Sequence, residues 1–170
     1  THLKTGENRN GAIPGHEFSG VVAAVGPGVE IEVGQEVFGL NDWFDQGALA
    51  EFCVTLAESV TVKPPQVSHT DAASVPISAL TAWQGLFDHA KLQAGERVLI
   101  HGGSGAVGLM AVQLAKRHGA HVITTASARN RELLSGLGAE RVIDYRSERF
   151  EDFAKDVDVV FDAVGGETLA

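Results

Sequence analysis

The hydrophobic and polar positions follow two different patterns along the chain, and the change falls between residues 63 and 77. Before the change, short apolar runs alternate with polar positions and are separated by glycine turns, which is typical of strands. Strands at such short spacing favour a small β-rich barrel or sandwich. The pattern predicts strands over residues 18–25, 36–39, 48–55 and 59–62.

A proline pair and two predicted helices follow these strands. Lys63-Pro64-Pro65 cannot continue a sheet ladder and marks where the chain leaves the β-rich region. Ser68 and Asp71 have the spacing of a capping box and predict the start of a short helix. A second helix is predicted over residues 78–90. Its apolar face is expected to consist of Leu80, Trp83, Leu86 and Phe87.

From Arg97 onward, apolar runs of strand length alternate with helical repeats. Strands and helices that alternate through short links imply βαβ crossovers and a parallel sheet, so the predicted fold class is α/β. A complete dinucleotide-binding sheet has about six strands, and the roughly four predicted here indicate part of a longer enzyme. The predicted strands are 98–101, 121–125, 141–144 and a buried one at 157–163, and the predicted helices are 105–118 and 130–137, the latter ending at Gly138.

A glycine turn joins the first of these strands to the first helix. Gly103, Gly105 and Gly108 have GxGxxG spacing directly after an apolar strand. In a dinucleotide site the first glycine allows the tight turn, the second lets the backbone approach a pyrophosphate, and the third lets the helix pack on the strand. The alternative is a strand-turn-helix without a ligand. The expected phosphate contacts are Gly103, Ser104, Gly105, Ala106 and Val107.

Composition narrows the classes of function. Hydrophobic residues make up 44% of the chain, with charges interspersed, which fits a soluble globular protein. No run of about 18 apolar residues occurs, so no membrane span is expected. The net charge of −9 argues against a nucleic-acid partner, but not against a phosphate bound by local groups. Cys53 is the only cysteine, which excludes an internal disulfide and favours a reducing compartment such as the cytoplasm.

Seven segments of the sequence, taken in order, carry a resemblance to a known family. The most specific is AGERVLIHGGSGAVG at residues 94–108; the others are 14–29, 33–39, 47–52, 79–86, 137–145 and 159–166. Together they resemble the medium-chain dehydrogenase/reductase superfamily, and within it the zinc-independent, zeta-crystallin-like quinone oxidoreductase branch. The resemblance implies a partial GroES-like catalytic domain over residues 1–76. It implies a truncated Rossmann dinucleotide-binding domain over residues 77–170.

Many members of this superfamily bind a catalytic zinc, and the sequence argues against one here. His16 and Glu17 stand in the Gly-His-Glu motif that supplies one ligand in zinc enzymes. Zinc alcohol dehydrogenases, however, have a cysteine four residues before the threonine that matches Thr81, and this chain has Ile77 there. An aliphatic side chain cannot bind a metal. We therefore expect no metal, and a zinc-dependent alcohol dehydrogenase remains an alternative.

The residues after the second predicted strand of the parallel sheet indicate NADPH rather than NADH. An NAD site normally has an acid about 20 residues after the glycines, where it binds the ribose hydroxyls. Here no acid occurs between the strand and Glu132, whereas a serine and two arginines do. Hydroxyl and guanidinium groups suit a 2′-phosphate, although the arginines could simply be solvated. The expected contacts are Ser127, Arg129 or Arg131, Asn130 where the family often has a lysine, and Tyr145, which matches a family tyrosine.

The resemblance also implies an activity. It implies hydride transfer from NADPH to a quinone or an α,β-unsaturated carbonyl, without a metal, in a cytoplasmic homodimer. Thr81 would lie near the nicotinamide, and His2 stands where many quinone reductases have a tyrosine. No catalytic residue is assigned, because solvent can protonate the product. A non-catalytic protein that binds NADPH is a further alternative.

Overall fold

The computed structural model describes residues 13–42 and 47–166. The chain divides into two compact units, Thr1–Pro76 and Ile77–Ala170, and each is described by itself. Of the helices that the structure describes, none has both the length and the apolar character needed to cross a membrane.

The first unit contains a three-stranded antiparallel sheet in the order β1-β2-β3. Its strands are β1 (Glu17–Val21), β2 (Glu36–Leu40) and β3 (Val60–Val62), and a 3-10 turn at Ala57–Ser59 precedes β3. β1 ends four residues earlier than the alternation predicts, because Val21 pairs with Glu36, the first residue of β2. Beyond that pair the ladder has no further partner residue in β2.

The strand predicted over residues 48–55 is wrong. The amides of Gly47, Ala48 and Leu49 donate to carbonyls of residues 13–15 at 2.8–3.0 Å, and residues 48–51 form a bend instead of a strand. Leu49 and Phe52 are each 76% exposed. The apolar alternation in this segment therefore does not correspond to a buried strand face among the described residues.

A short helix, α1 (His69–Ala73), is capped by the residue before it, and its first residue contacts the sheet. The predicted cap is confirmed: the Ser68 hydroxyl accepts from the Asp71 amide at 3.0 Å and donates to the Asp71 carboxylate at 2.6 Å. On the side of the helix, His69 Nδ1 lies 2.7 Å from Ser19 Oγ in β1. The buried ammonium of Lys63 pairs with Glu36 at 2.9 Å and lowers the pKa of that carboxyl group.

We expect Ser68→Ala to weaken the start of α1. A serine N-cap stabilises a helix by about 1 kcal/mol relative to alanine, so amides of the first turn will exchange about fivefold faster. Hydrogen exchange of the Ala72 amide, which donates to Ser68 O, measures this effect. Thr70→Ala, in the exposed first turn of the same helix, is the matched control and should leave the exchange rate within about twofold. Equal rates in the two variants would contradict the capping role.

The second unit contains a four-stranded parallel sheet in the order β6-β5-β4-β7. The strands are β4 (Arg97–His101), β5 (His121–Ala126), β6 (Arg141–Asp144) and β7 (Val159–Asp162). A helix, α3 (Ala106–Arg117), connects β4 to β5, and α4 (Arg131–Gly136) connects β5 to β6. The strand order reverses between β4 and β7, and ligands of such sheets bind outside the carboxyl ends of the strands at this reversal.

Apolar side chains from both layers form the core of this unit. Its largest fully buried members include Leu86, Leu92, Ile100, Val112, Val122 and Leu134. β7 is less buried than predicted, since Val160 is 53% exposed. β7 pairs only with β4 among the described strands, so one of its edges carries no neighbouring strand.

The predicted helix over residues 78–90 forms in two parts with a different buried face. An α-helix, α2 (Pro76–Trp83), is followed by wider π-helical turns at Gln84–His89. The buried positions are Ser78, Ala82 and Leu86, which follow each other at intervals of four. Leu80 and Trp83, which are predicted to share the apolar face with Leu86, are 48% and 50% exposed, so that face is only partly buried. Short apolar stretches do not define a helix face when small residues compete for the buried side.

Candidate dinucleotide-binding site

β4 leads directly into the glycine turn at the strand reversal. The left-handed backbone of this turn is at Gly102, with φ of +74°, and not at Gly103. Gly103 lies in the turn, as predicted, but the positive φ of the turn belongs to Gly102. A residue with a side chain at Gly102 would be strained by that φ value.

Gly103 and Gly108 are required by packing. A Cβ atom on Gly103 would lie 2.0 Å from Thr124 Oγ1 in β5, and one on Gly108 would lie 2.2 Å from the carbonyl oxygen of Gly102. Gly103 therefore lets the turn approach β5, and Gly108 lets α3 pack against the turn. The packing role predicted for the third glycine is confirmed.

Gly105 is required neither by packing nor by its backbone conformation. Its φ is −76°, which any residue adopts, and a Cβ atom there would come no closer than 3.4 Å to another atom of the chain. Gly105 is the N-cap of α3, and no side chain caps this helix. The backbone amides of the first turn, which includes Ala106 and Val107, have no acceptor within the helix. They lie at its N-terminal end, where the helix dipole is positive. Ser104 lies half-buried beside them.

Two buried threonines of β5 hold the turn in place. The amide of Gly103 donates to the carbonyl oxygen of Thr125 at 3.0 Å, and the amide of Gly102 donates to Thr125 Oγ1 at 3.2 Å. Thr124 Oγ1 donates to the carbonyl oxygen of Ile100 at 2.7 Å. Sequence reasoning missed both residues. Two consecutive threonines in an otherwise apolar strand next to a glycine turn are the signal that could have found them.

The structure brings the predicted residues at the ends of β5 and β6 to one edge of the sheet. Ala126 pairs with Asp144, so Ser127 and Tyr145 follow adjacent positions of neighbouring strands. Ser127 is buried, and its hydroxyl accepts from Asn130 Nδ2 at 3.4 Å. Tyr145 is exposed, with the Arg146 guanidinium 5.6 Å from its ring centroid. Arg146 is a further cation at this edge, which the sequence analysis did not consider.

Of the two arginines that follow β5, only Arg131 forms an ion pair with Glu148. Glu148 pairs with Arg131 at 3.2 Å and with Arg141 at 3.1 Å. Its carboxylate also accepts the Asp144 amide at 2.9 Å, and this hydrogen bond, together with the arginines, lowers the pKa of Glu148. Arg129 is exposed and forms no ion pair with any carboxylate in the part of the chain that the structure describes. Of the two arginines that follow β5, Arg129 is therefore the one available to a ligand.

Two predicted residues remain, Thr81 and His2. Thr81 is exposed in α2, and its place beside a nicotinamide remains a prediction. His2 lies outside the described residues.

The described residues do not supply the ligands of a catalytic zinc, which needs three protein donors and an open position. Within residues 13–42 and 47–166, no group of three or more His, Cys, Asp or Glu side chains comes together. Cys53 is half-buried, and burial raises the pKa of its thiol, which disfavours the thiolate form that binds metals. We derive no step that uses a metal.

Comparison with known proteins identifies the family. A model of the alcohol dehydrogenase GroES-like domain matches residues 1–70, and a model of the zinc-binding dehydrogenase domain matches residues 106–170. The chain belongs to the medium-chain dehydrogenase/reductase superfamily. The predicted fold class, a Rossmann-type parallel sheet with a β-rich GroES-like domain, is confirmed.

Relatives within this superfamily include reductases of several kinds. The 2-methylene-furan-3-one reductase of Solanum lycopersicum is 38% identical over 90% of this chain and 42% of its own length. The NAD(P)H oxidoreductase RTN4IP1, mitochondrial, of Homo sapiens is 42% identical over 91% of this chain and 41% of its own. A quinone oxidoreductase from Coxiella burnetii has a TM-score of 0.84 and 38% identity over 93% of this chain and 51% of that one.

The chain thus spans about two fifths of these curated relatives and half of the solved structure. One relative is mitochondrial by name, so the cytoplasmic location predicted from the lone cysteine remains a prediction, as does the homodimer.

Proposed function

We propose that this protein is an NADPH-dependent oxidoreductase that transfers hydride to a quinone or an α,β-unsaturated carbonyl without a metal. The observation that carries the proposal is Gly105, a glycine that the fold does not need, at the uncapped start of α3. An absent side chain and free amides at this position suit the close approach of a pyrophosphate. The strand order supports the proposal, since it places this turn at the reversal between β4 and β7.

The edge formed by β5 and β6 favours NADPH over NADH. The segment after β5 presents a serine and an unpaired arginine, Ser127 and Arg129, in place of the acid that binds ribose hydroxyls. A guanidinium group binds a phosphate through two parallel hydrogen bonds, which a neutral ribose cannot match. Tyr145 and Arg146 extend the same edge from β6.

The chain's own residues bind and orient the cofactor in this proposal. A bound nicotinamide supplies the hydride, and the acceptor gains negative charge on its oxygen as the hydride arrives. The glycine turn and the start of α3 hold the pyrophosphate, and Arg129 with Ser127 holds the 2′-phosphate, so the adenosine half of the cofactor is fixed by groups that follow two adjacent strands, β4 and β5. Names of relatives support the acceptor class, since one is a quinone oxidoreductase and another reduces a methylene-furanone.

Binding and turnover test the proposal separately. We expect calorimetric titration to show NADPH binding at least tenfold tighter than NADH, and absorbance at 340 nm to show NADPH oxidation with members of a quinone and enone panel. Equal binding of the two cofactors would overturn the preference for NADPH. Binding without oxidation by any acceptor would favour a non-catalytic NADPH-binding protein. One tightly held zinc per chain would favour an alcohol dehydrogenase.

A further inference from the structure

We propose that His101 is a positioning residue that fixes the glycine turn for the pyrophosphate by orienting the Thr125 hydroxyl. This inference rests on the proposed function. His101 is the last residue of β4 and directly precedes Gly102, yet it is only 2% exposed. A buried imidazole at this position contributes little apolar packing that a leucine or valine could not supply, so its polar atoms need an explanation.

The hydrogen bonds around Thr125 provide that explanation. His101 Nδ1 lies 3.2 Å from Thr125 Oγ1, and the Gly102 amide donates to the same oxygen at 3.2 Å. The amide can only donate, so it occupies one lone pair of Oγ1, and among the described residues His101 Nδ1 is the only acceptor within hydrogen-bond distance of the Thr125 hydroxyl. We therefore assign the ring proton to Nε2 and an accepting lone pair to Nδ1. The order of donation is Gly102 N–H to Thr125 O–H to His101 Nδ1.

The surroundings of the imidazole hold it in place and keep it neutral. The ring of Phe150 meets it edge to face, with the centroids 4.7 Å apart. Burial lowers the pKa of His101 below its ordinary value of 6.5, and this effect exceeds the opposing influence of Asp162 in β7 and Glu151 beside Phe150. A protonated Nδ1 would donate toward the Thr125 hydroxyl instead of accepting from it. The hydrogen-bonded order therefore exists only while His101 is neutral.

The first test removes each hydrogen-bonding group. Thr125→Val keeps the shape of the side chain without the hydroxyl, and His101→Phe keeps an aromatic ring without the acceptor. Each should weaken NADP⁺ binding by about fivefold, and the double variant should bind no more weakly than either single one, since all three lose the same connection. His101→Asn, whose Oδ1 can accept in place of Nδ1, should restore binding to within about twofold of the wild type.

The pH dependence supplies a measurement that a merely structural role would not change. As the pH falls through the lowered pKa of His101, the imidazole gains its proton, and the wild-type affinity for NADP⁺ should fall relative to that of His101→Asn. The 2′-phosphate of the ligand titrates in both proteins alike, so the ratio of their affinities isolates the histidine. A ratio that stays constant while NMR shows the His101 imidazole gaining its proton would overturn the positioning role.

Hydrogen exchange of the Gly102 amide separates this inference from the proposed function. Without any ligand, this amide should exchange faster in Thr125→Val than in the wild type. If the wild type binds neither NADP⁺ nor NADPH, the proposed function fails and the role assigned to His101 fails with it. If the wild type binds and Thr125→Val binds equally well, only the role of His101 fails.

Discussion

Gly108→Ala will lower the free energy of unfolding by about 3 kcal/mol, at the upper end of ordinary overpacking in a core. The added methyl carbon would lie 2.2 Å from the carbonyl oxygen of Gly102 and 2.8 Å from the Cα atom of Gly103. Both are backbone atoms of a turn that Thr125 holds from behind, so neither can move aside cheaply. Either α3 moves away from β4 or the turn opens, and each exposes core surface. Urea unfolding followed by circular dichroism measures the loss.

Two other glycines are the controls for this experiment. Gly136→Ala, in α4 with no atom within 4 Å of the added carbon, should raise stability by about 0.5 kcal/mol. Gly105→Ala should cost at most about 1 kcal/mol, the difference between the two residues at an N-cap, while it weakens NADPH binding at least tenfold. A loss of stability in Gly105→Ala as large as that in Gly108→Ala would show that the fold does require a glycine at 105.

Arg129→Gln will weaken NADPH binding by about thirtyfold and leave NADH binding unchanged. The loss corresponds to about 2 kcal/mol, the usual contribution of a hydrogen bond between charged groups. NADH has no 2′-phosphate, so the guanidinium has nothing comparable to bind. Calorimetric titration of both cofactors gives the ratio directly.

Arg131→Gln is the matched control for the 2′-phosphate site. It makes the same chemical change two residues away, on a side chain that Glu148 already binds at 3.2 Å. We expect it to alter stability by no more than about 0.5 kcal/mol and the preference between cofactors by less than twofold. If Arg131→Gln loses the preference for NADPH and Arg129→Gln keeps it, our assignment of the available cation is wrong.

The parallel sheet can be predicted well from the sequence because each of its elements carries its own signal. The strands predicted at 98–101 and 141–144, each with apolar residues at its centre, become β4 and β6 to within a residue, and Gly138 adopts a positive φ of +111° after α4. These signals are local: a buried parallel strand is apolar throughout, and a helix end selects glycine. Nothing beyond a few neighbouring residues is needed to recognise them.

The segments where prediction fails depend on distant partners. The alternation over residues 48–55 is a strand only if another strand pairs with it, and its first amides bind residues 13–15 instead. The buried face of α2 depends on what packs against it, and small Ala82 takes the place expected for Trp83. Periodicity contains no information about either choice.

The candidate site can also be predicted only where its signals are local. The spacing of Gly103, Gly105 and Gly108 is visible in the sequence, and so are the serine and the arginines after β5. The pair of threonines in β5 is visible too, but its contact with Gly102 is not, because the hydrogen bond from the Gly102 amide to Thr125 spans 23 residues of chain. The difference between Arg129 and Arg131 cannot be predicted either, because Glu148, which binds Arg131, lies 17 residues beyond it.

The Glu148 carboxylate has an evolutionary consequence. Glu148 gathers Arg131, Arg141 and the Asp144 amide into one group at the end of β6. A substitution at 148 would release a second guanidinium beside Arg129 and increase the positive potential where the adenosine end of a cofactor docks. In the proposed site, coenzyme preference would therefore change through a residue whose carboxylate is already bound by Arg131, Arg141 and the Asp144 amide, and a count of basic residues after β5 would not register the change.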